Sequence, residues 1–273
     1  MIDLHLHTTA SDGLLPPAAL VARAARAGLR TISVTDHDTC AGLAEADAAA
    51  SVHGLRLVPG VEITAIEDAR DVHLLAYFFD PASPELLEFL DSQRGHREQR
   101  VREIGDRLAA LGLAIDVEPL IAAASRRRGC TLGRPQIADA LVAAGHAVDR
   151  DDVFDRLLGT GRPAWVSRRG PPPEAVISLV RDAGGIVSMA HPGLTAMDHL
   201  IPRLAAAGLD AIEASHSDHD PDTERHYRDL AAQLGLAVSA GSDFHGDAGH
   251  RASILGRVTL SADDFAALEA RRP

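Results

Sequence analysis

The chain has 273 residues, 27 of them basic and 39 acidic, for a net charge of −12 with neutral histidine. All 27 basic residues are arginine; lysine and asparagine are absent, and 14 histidines are present. The charge argues against a stable nucleic-acid partner, and the missing lysine excludes Schiff-base chemistry, Walker-type phosphate loops and lysine-carbamate metal bridges.

A hydrophobic content of 46% and a charged content of 24% suit a globular protein, and only 3% aromatics leaves the core to aliphatic side chains. Cys40 and Cys130 fit free thiols in a reducing compartment. No signal-peptide pattern and no apolar stretch of about 18 residues is present, which predicts a cytoplasmic protein with no membrane partner.

In chain order, residues 2–7 read as a strand, and a helix follows over 16–27. A strand at 31–36, a helix at 43–52 and strands at 56–63 and 71–79 come next. The same rhythm returns at 185–190, 210–215 and 236–241, with helices at 174–183, 199–207 and 222–234. Strand–helix alternation predicts a parallel sheet, and seven such strands predict a closed or nearly closed barrel. Residues 84–170 differ. Ser83-Pro84-Glu85 starts a helix, Val101, Ile104, Leu108 and Leu111 recur at helical spacing, and shorter helices follow at 117–124, 135–144 and 151–158. The expected organisation is an α/β barrel of residues 1–83 and 171–273, capped by a helical insertion over 84–170.

Imidazoles and carboxylates fall at the strand ends of this map. His5 and His7 share one face of the first strand at i, i+2 spacing, and Asp12 follows in the next loop. His37 follows the second strand, Glu62 ends the third, and His73 lies in the fourth. His191 follows the fifth, and Asp243 and His245 follow the seventh. In barrels such ends form one rim where functional residues converge. Nine groups exceed the four to six ligands that one ion takes, so at least two metals are expected, with room for three. Imidazole and carboxylate without thiolate suit Mn²⁺, Fe²⁺ or Zn²⁺. Metal pairs are a recurring device for phosphate ester hydrolysis.

Asp3-Leu4-His5-Leu6-His7 with Ser11-Asp12-Gly13, Thr35-Asp36-His37-Asp38-Thr39, Gly60-Val61-Glu62, Ala190-His191-Pro192 and Gly241-Ser242-Asp243-Phe244-His245 resemble the motifs of the PHP (polymerase and histidinol phosphatase) family. The resemblance extends from residue 2 to about 256. It is strongest to stand-alone phosphoesterases, including nucleoside 3′,5′-bisphosphate phosphatases. It implies a distorted (β/α)7 barrel (the PHP fold) with two or three divalent metal ions, Mn²⁺ first and Fe²⁺ or Zn²⁺ as alternatives. By residue-wise carry-over, His5, His7, Glu62 and Asp243 would hold one metal, and Asp12, His37 and His245 a second. Glu62, His73 and His191 would hold a third.

The insertion carries Gly133-Arg134-Pro135-Gln136, which resembles a family segment whose arginine points at phosphate; Gln136 stands where that segment usually has histidine. Without lysine, further phosphate contacts must come from arginine, and Arg162 in Gly161-Arg162-Pro163 is the second candidate. His219 matches a family histidine near substrate. Asp243 and His219, with a metal-bridging water, form the expected catalytic group. Arg94, Arg97, Arg100 and Arg102 read as a solvated helix face, and Trp165, which could stack on a base, reads as local packing. His53, His96, His146, His199, His226 and His250 read as surface or helix residues. The expected activity is metal-dependent hydrolysis of a small phosphate ester, such as a nucleoside 3′,5′-bisphosphate. Alternatives are a histidinol-phosphate-type phosphatase, a cyclic-nucleotide or short-oligonucleotide phosphodiesterase, and a non-catalytic metal-dependent binding module.

Overall fold

Three strands of the sheet, Thr31–Val34, Ile186–Met189 and Ala211–His216, are buried at every position, the pattern of strands covered on both faces. The computed structural model describes residues 1–126, 131–246 and 253–273, so Cys130 and His250 lie outside the described residues. Its seven strands are β1 Ile2–Leu6, β2 Thr31–Val34, β3 Arg56–Glu67, β4 Arg70–Tyr77, β5 Ile186–Met189, β6 Ala211–His216 and β7 Ala237–Gly241. Each neighbours the next in chain order, and Leu6 bridges Phe244 to return the first edge to the last. Asp243 N donates to His5 O at 2.9 Å and His7 N to Phe244 O at 3.0 Å across that seam. The architecture is the nearly closed, distorted (β/α)7 barrel.

One strand departs from the expected parallel order. β4 runs antiparallel to both β3 and β5. The cause is local: Asp68 and Ala69 both have positive φ, at 48° and 60°, the backbone of a two-residue hairpin turn. The reversal pairs His73 with Thr64 in mid-strand, so His73 reaches the rim from the first half of its strand.

The segment between β4 and β5 is helical. Pro84–Ala110 starts under the Ser83 cap, whose side chain accepts from Leu86 N, and Glu118–Arg126, Arg134–Ala143 and Arg150–Val153 follow. A wider, π-type turn, Phe154–Leu158, continues the last. These helices share a core of their own, including Val101, Ile104, Leu108, Ile137, Leu141 and Leu158. Two contacts clamp them to the loop after β1: Thr131 N donates to Ala10 O at 2.9 Å, and Gln136 Nε2 donates to Ser11 O at 2.9 Å. Gln136 Oε1 also accepts from Gly133 N at 2.9 Å. The residue that departs from the family pattern therefore ties a helix start to the loop carrying Asp12.

Cys40 is a free thiol. Among the described residues no helix is long and apolar enough to cross a membrane.

Candidate metal centre

The barrel rim brings all nine expected ligands together. Glu62, 1% exposed, is the hub. Its Oε2 lies 3.3 Å from His5 Nε2, 3.2 Å from His7 Nε2 and 3.1 Å from His37 Nδ1. Its Oε1 lies 2.7 Å from His73 Nδ1 and 3.2 Å from His191 Nε2. Asp243 Oδ1 stands 3.1 Å from His7 Nε2 and 3.4 Å from His5 Nε2. Asp12 meets His245 Nε2 at 3.3 Å and His37 Nε2 at 3.7 Å. The turns that aim these groups are strained: Asp38, His191 and Asp243, which follow β2, β5 and β7, have φ of 51°, 27° and 52°. Such left-handed backbone in non-glycine residues clusters at functional sites.

The chemistry of this donor set fits divalent cations. His7 Nε2, His37 Nδ1 and His73 Nδ1 are buried close to carboxylate oxygens, yet none has the alignment of a hydrogen bond. These ring nitrogens and the carboxylate oxygens beside them crowd together without satisfying one another, and a cation between them would engage both. Ligand atoms of His7, Asp12, His37 and His245 lie within 4.8 Å of one another, as do those of His5, His7 and Glu62, and of His37, Glu62 and His73.

The electrostatics agree. Burial alone pushes His7 down, but Asp243 and Glu62 outweigh it and lift the ring to about 10. Burial holds His37 down at about 3 despite Glu62 and Asp12. For Glu62, burial favours the protonated form, but His37, His73 and His5 overcome it and hold the carboxyl well below its ordinary range. Buried carboxylates at this density are balanced by protonated rings or by bound cations.

A 120 Å³ pocket is lined by Asp12, His37 and His73 of the cluster together with Arg97, Arg134 and Arg168. Arg97 Nε donates to Asp38 Oδ2 at 2.6 Å, and Arg168 donates to Thr64 Oγ1. Arg134 Nη1 donates to Leu158 O at 3.1 Å. Burial, with Arg168 and Arg134 close by, pushes Arg100 down to about 9; burial and Arg97 push Arg168 down to about 10 against Asp71 and Asp38. Guanidinium groups crowded in this way favour an anion among them. A second pocket of 390 Å³ shares Asp71, His73 and Arg134 with the first and adds His191, Trp165, Leu194 and Thr195.

Three expectations change. Arg97 and Arg100, expected on a solvated face, are 6% and 7% exposed because they lie on the side of the long helix that faces the barrel. Arg162 is exposed on a turn and lines neither pocket, whereas Arg168, not singled out in the sequence, lines the first. His219 lines a separate pocket beside Gly193 and Tyr227. Its Nδ1 donates to Ala214 O at 2.8 Å and burial lowers its pKa, so the neutral ring presents a bare Nε2 and has no proton there to give. Two residues were missed altogether. Glu213 and His216, both in β6, contact His5 and Asp243 at 2.9 and 3.4 Å.

Residues 3–127 match the family model described as the PHP domain. A 3′,5′-nucleoside bisphosphate phosphatase from Chromobacterium violaceum is 35% identical, over 89% of this chain and 87% of its own. The chain belongs to the PHP family. A 5′-3′ exoribonuclease from Haemophilus influenzae is also 35% identical, over 89% of both chains. A solved structure from Bifidobacterium adolescentis, given as a metal-dependent phosphoesterase, superposes with a TM-score of 0.89 at 32% identity, covering 100% of this chain and 96% of that one. This PHP protein is a metal-dependent hydrolase acting on phosphoester bonds.

Proposed function

We propose that the enzyme removes the 3′-phosphate from a nucleoside 3′,5′-bisphosphate. The observation that carries this reading is the junction of two pockets: a small one between the candidate ligands and three arginines, and a larger one lined by Trp165. The first is below the usual size of an organic-ligand pocket and suits a phosphoryl group, and the second is within that size range. The chemistry of the Trp165, Leu194 and Thr195 wall is that of a surface against which a base can stack.

In this reading His5, His7, Glu62 and Asp243 hold one divalent ion, Asp12, His37 and His245 a second, and Glu62, His73 and His191 a third. Bound ions supply Lewis acidity at the phosphoryl group. Arg134 and Arg168 orient phosphate oxygens through the planar guanidinium fork, and residues 84–170 act as a cap that excludes water from them. Replacing Arg168 or Arg134 with alanine is expected to raise KM by about 10–100-fold, the cost of a charge-assisted contact to an anion. Arg162→Ala is expected to change KM by less than about threefold. Steady-state kinetics on the three variants check this order, and equal losses for all three would count against the assignment.

A second reading is favoured by the exoribonuclease relative: the same pockets would take the end of a short RNA. Turnover with Mn²⁺, measured as phosphate release from a nucleoside 3′,5′-bisphosphate and from histidinol phosphate and as nucleotide release from a short 5′-phosphorylated RNA, separates the candidates. Preference for the bisphosphate is the expected result. Turnover of only another ester would remove the substrate assignment and leave the phosphoesterase class in place.

A further inference from the structure

Glu213 is fully buried and divides its two oxygens between separate elements. Oε1 lies 2.9 Å from His5 Nδ1, and Oε2 accepts from the backbone N–H of His191 at 2.8 Å. A carboxylate has no proton to give, so His5 carries its hydrogen on Nδ1. Its Nε2, 3.3 Å from Glu62 Oε2 and 3.4 Å from Asp243 Oδ1, is then the nitrogen that faces the cluster and is available to a bound cation. The bond to His191 N restrains a residue whose φ is 27°, and from that backbone its Nε2 reaches Glu62.

His216 acts on Asp243 by the same logic. Its Nδ1 accepts from the N–H of Asp218 at 3.1 Å, so a neutral ring bears its hydrogen on Nε2, 3.4 Å from Asp243 Oδ2. Asp243 thereby keeps Oδ1 turned toward His5 and His7. These tautomers place hydrogens rather than lone pairs between His5, Glu213 and His216, whose ligand atoms also lie within 4.8 Å of one another. His5 Nδ1 bears hydrogen there, and both nitrogens of His216 are engaged. Glu213 and His216 are three residues apart and would lie on opposite faces of a regular strand. The register of β6 against β7 shifts between Glu213 and Ser215, which lets both face the cluster.

We infer that Glu213 and His216 are positioning residues, which fix the atoms that His5, His191 and Asp243 present to a bound metal. The inference rests on those three being ligands. Outer partners of this kind are worth about 10–100-fold in metal affinity.

The test is Mn²⁺ affinity by isothermal titration on the full chain, with thermal melting of the metal-free protein as a second readout. Glu213→Gln has one acceptor oxygen where two are needed, and His216→Ala has no donor; each is expected to weaken Mn²⁺ binding by about 10–100-fold with little change in metal-free melting. His216→Gln, whose amide can still donate to Asp243, is expected to regain most of that affinity. Wild-type affinity in both Glu213→Gln and His216→Ala overturns the inference, as does lowered metal-free melting with affinity unchanged. Should Glu213→Gln not fold, the His216→Ala and His216→Gln pair decides alone, and equal loss in both overturns it. A wild-type protein that binds no Mn²⁺ would overturn the ligand assignment itself, a result distinct from equal binding by all variants.

Discussion

Glu62→Gln is expected to abolish turnover, lowering kcat by about 10³-fold or more while the metal-free protein still folds. The substitution keeps size and shape but replaces one carboxylate oxygen with an amide donor. Oε2 lies within 3.3 Å of ring nitrogens of His5, His7 and His37, and Oε1 within 3.2 Å of His73 and His191. Whichever oxygen is lost, at least two imidazoles face an N–H instead of an anion. The cluster also loses one of its three carboxylates among nine candidate ligands, and with it part of the field that favours a cation. Changes at outer partners cost about 10–100-fold, so a hub touching five rings should cost more. Phosphate release and metal content per chain check this together. A variant within about tenfold of wild-type rate, with its full metal content, would remove Glu62 from the centre of the site.

The rim was legible because its chemistry is written in residue type and spacing. His5 and His7 at i, i+2, and Asp243 and His245 likewise, need only a strand or strand end to face one way. Glu213 was hidden by the β6 bulge, which breaks the period-two rule, and His216 lies at the very end of that strand. The arginines were hidden for a different reason. Arg94, Arg97, Arg100 and Arg102 look alike in sequence, and only tertiary packing distinguishes buried Arg97 and Arg100 from exposed Arg102. Arg162 looked right from its Gly-Arg-Pro surroundings, yet reach depends on where a turn ends. The reversed β4 was hidden because Asp68-Ala69 is not a typical hairpin dipeptide, although both residues adopt the required positive φ. Local signals therefore pointed to the candidate ligands, and long-range closure decided the residues behind and above them.

Gly241→Ala is expected to damage both fold and activity, for a reason the motif does not advertise. Gly241 ends β7, where the barrel closes on β1. A Cβ at this position would stand 2.1 Å from His5 Cβ, 2.7 Å from His5 N and 2.9 Å from His5 Cα. No rotamer relieves a clash with backbone atoms, so the two strands must separate. Their seam is short, with Asp243 N donating to His5 O at 2.9 Å and His7 N to Phe244 O at 3.0 Å. Overpacking of this kind costs about 3 kcal/mol or more, which for a chain of this size is a fall in Tm of roughly 6–12 °C. The same separation moves His5 away from Asp243, and a displacement of about 1 Å is enough to cost roughly 100-fold in rate. Gly54→Ala is the matched control: its φ of 66° strains any side chain, but a Cβ there meets nothing within 4 Å. That variant should lose only about 1 kcal/mol and keep its activity. Thermal melts of the metal-free proteins, followed by phosphate release after metal loading, separate the two effects. If Gly241→Ala melts within about 2 °C of wild type, the seam is not the rigid closure that these distances describe. Loss of rate without loss of stability would instead place its whole effect on the geometry of His5 and Asp243.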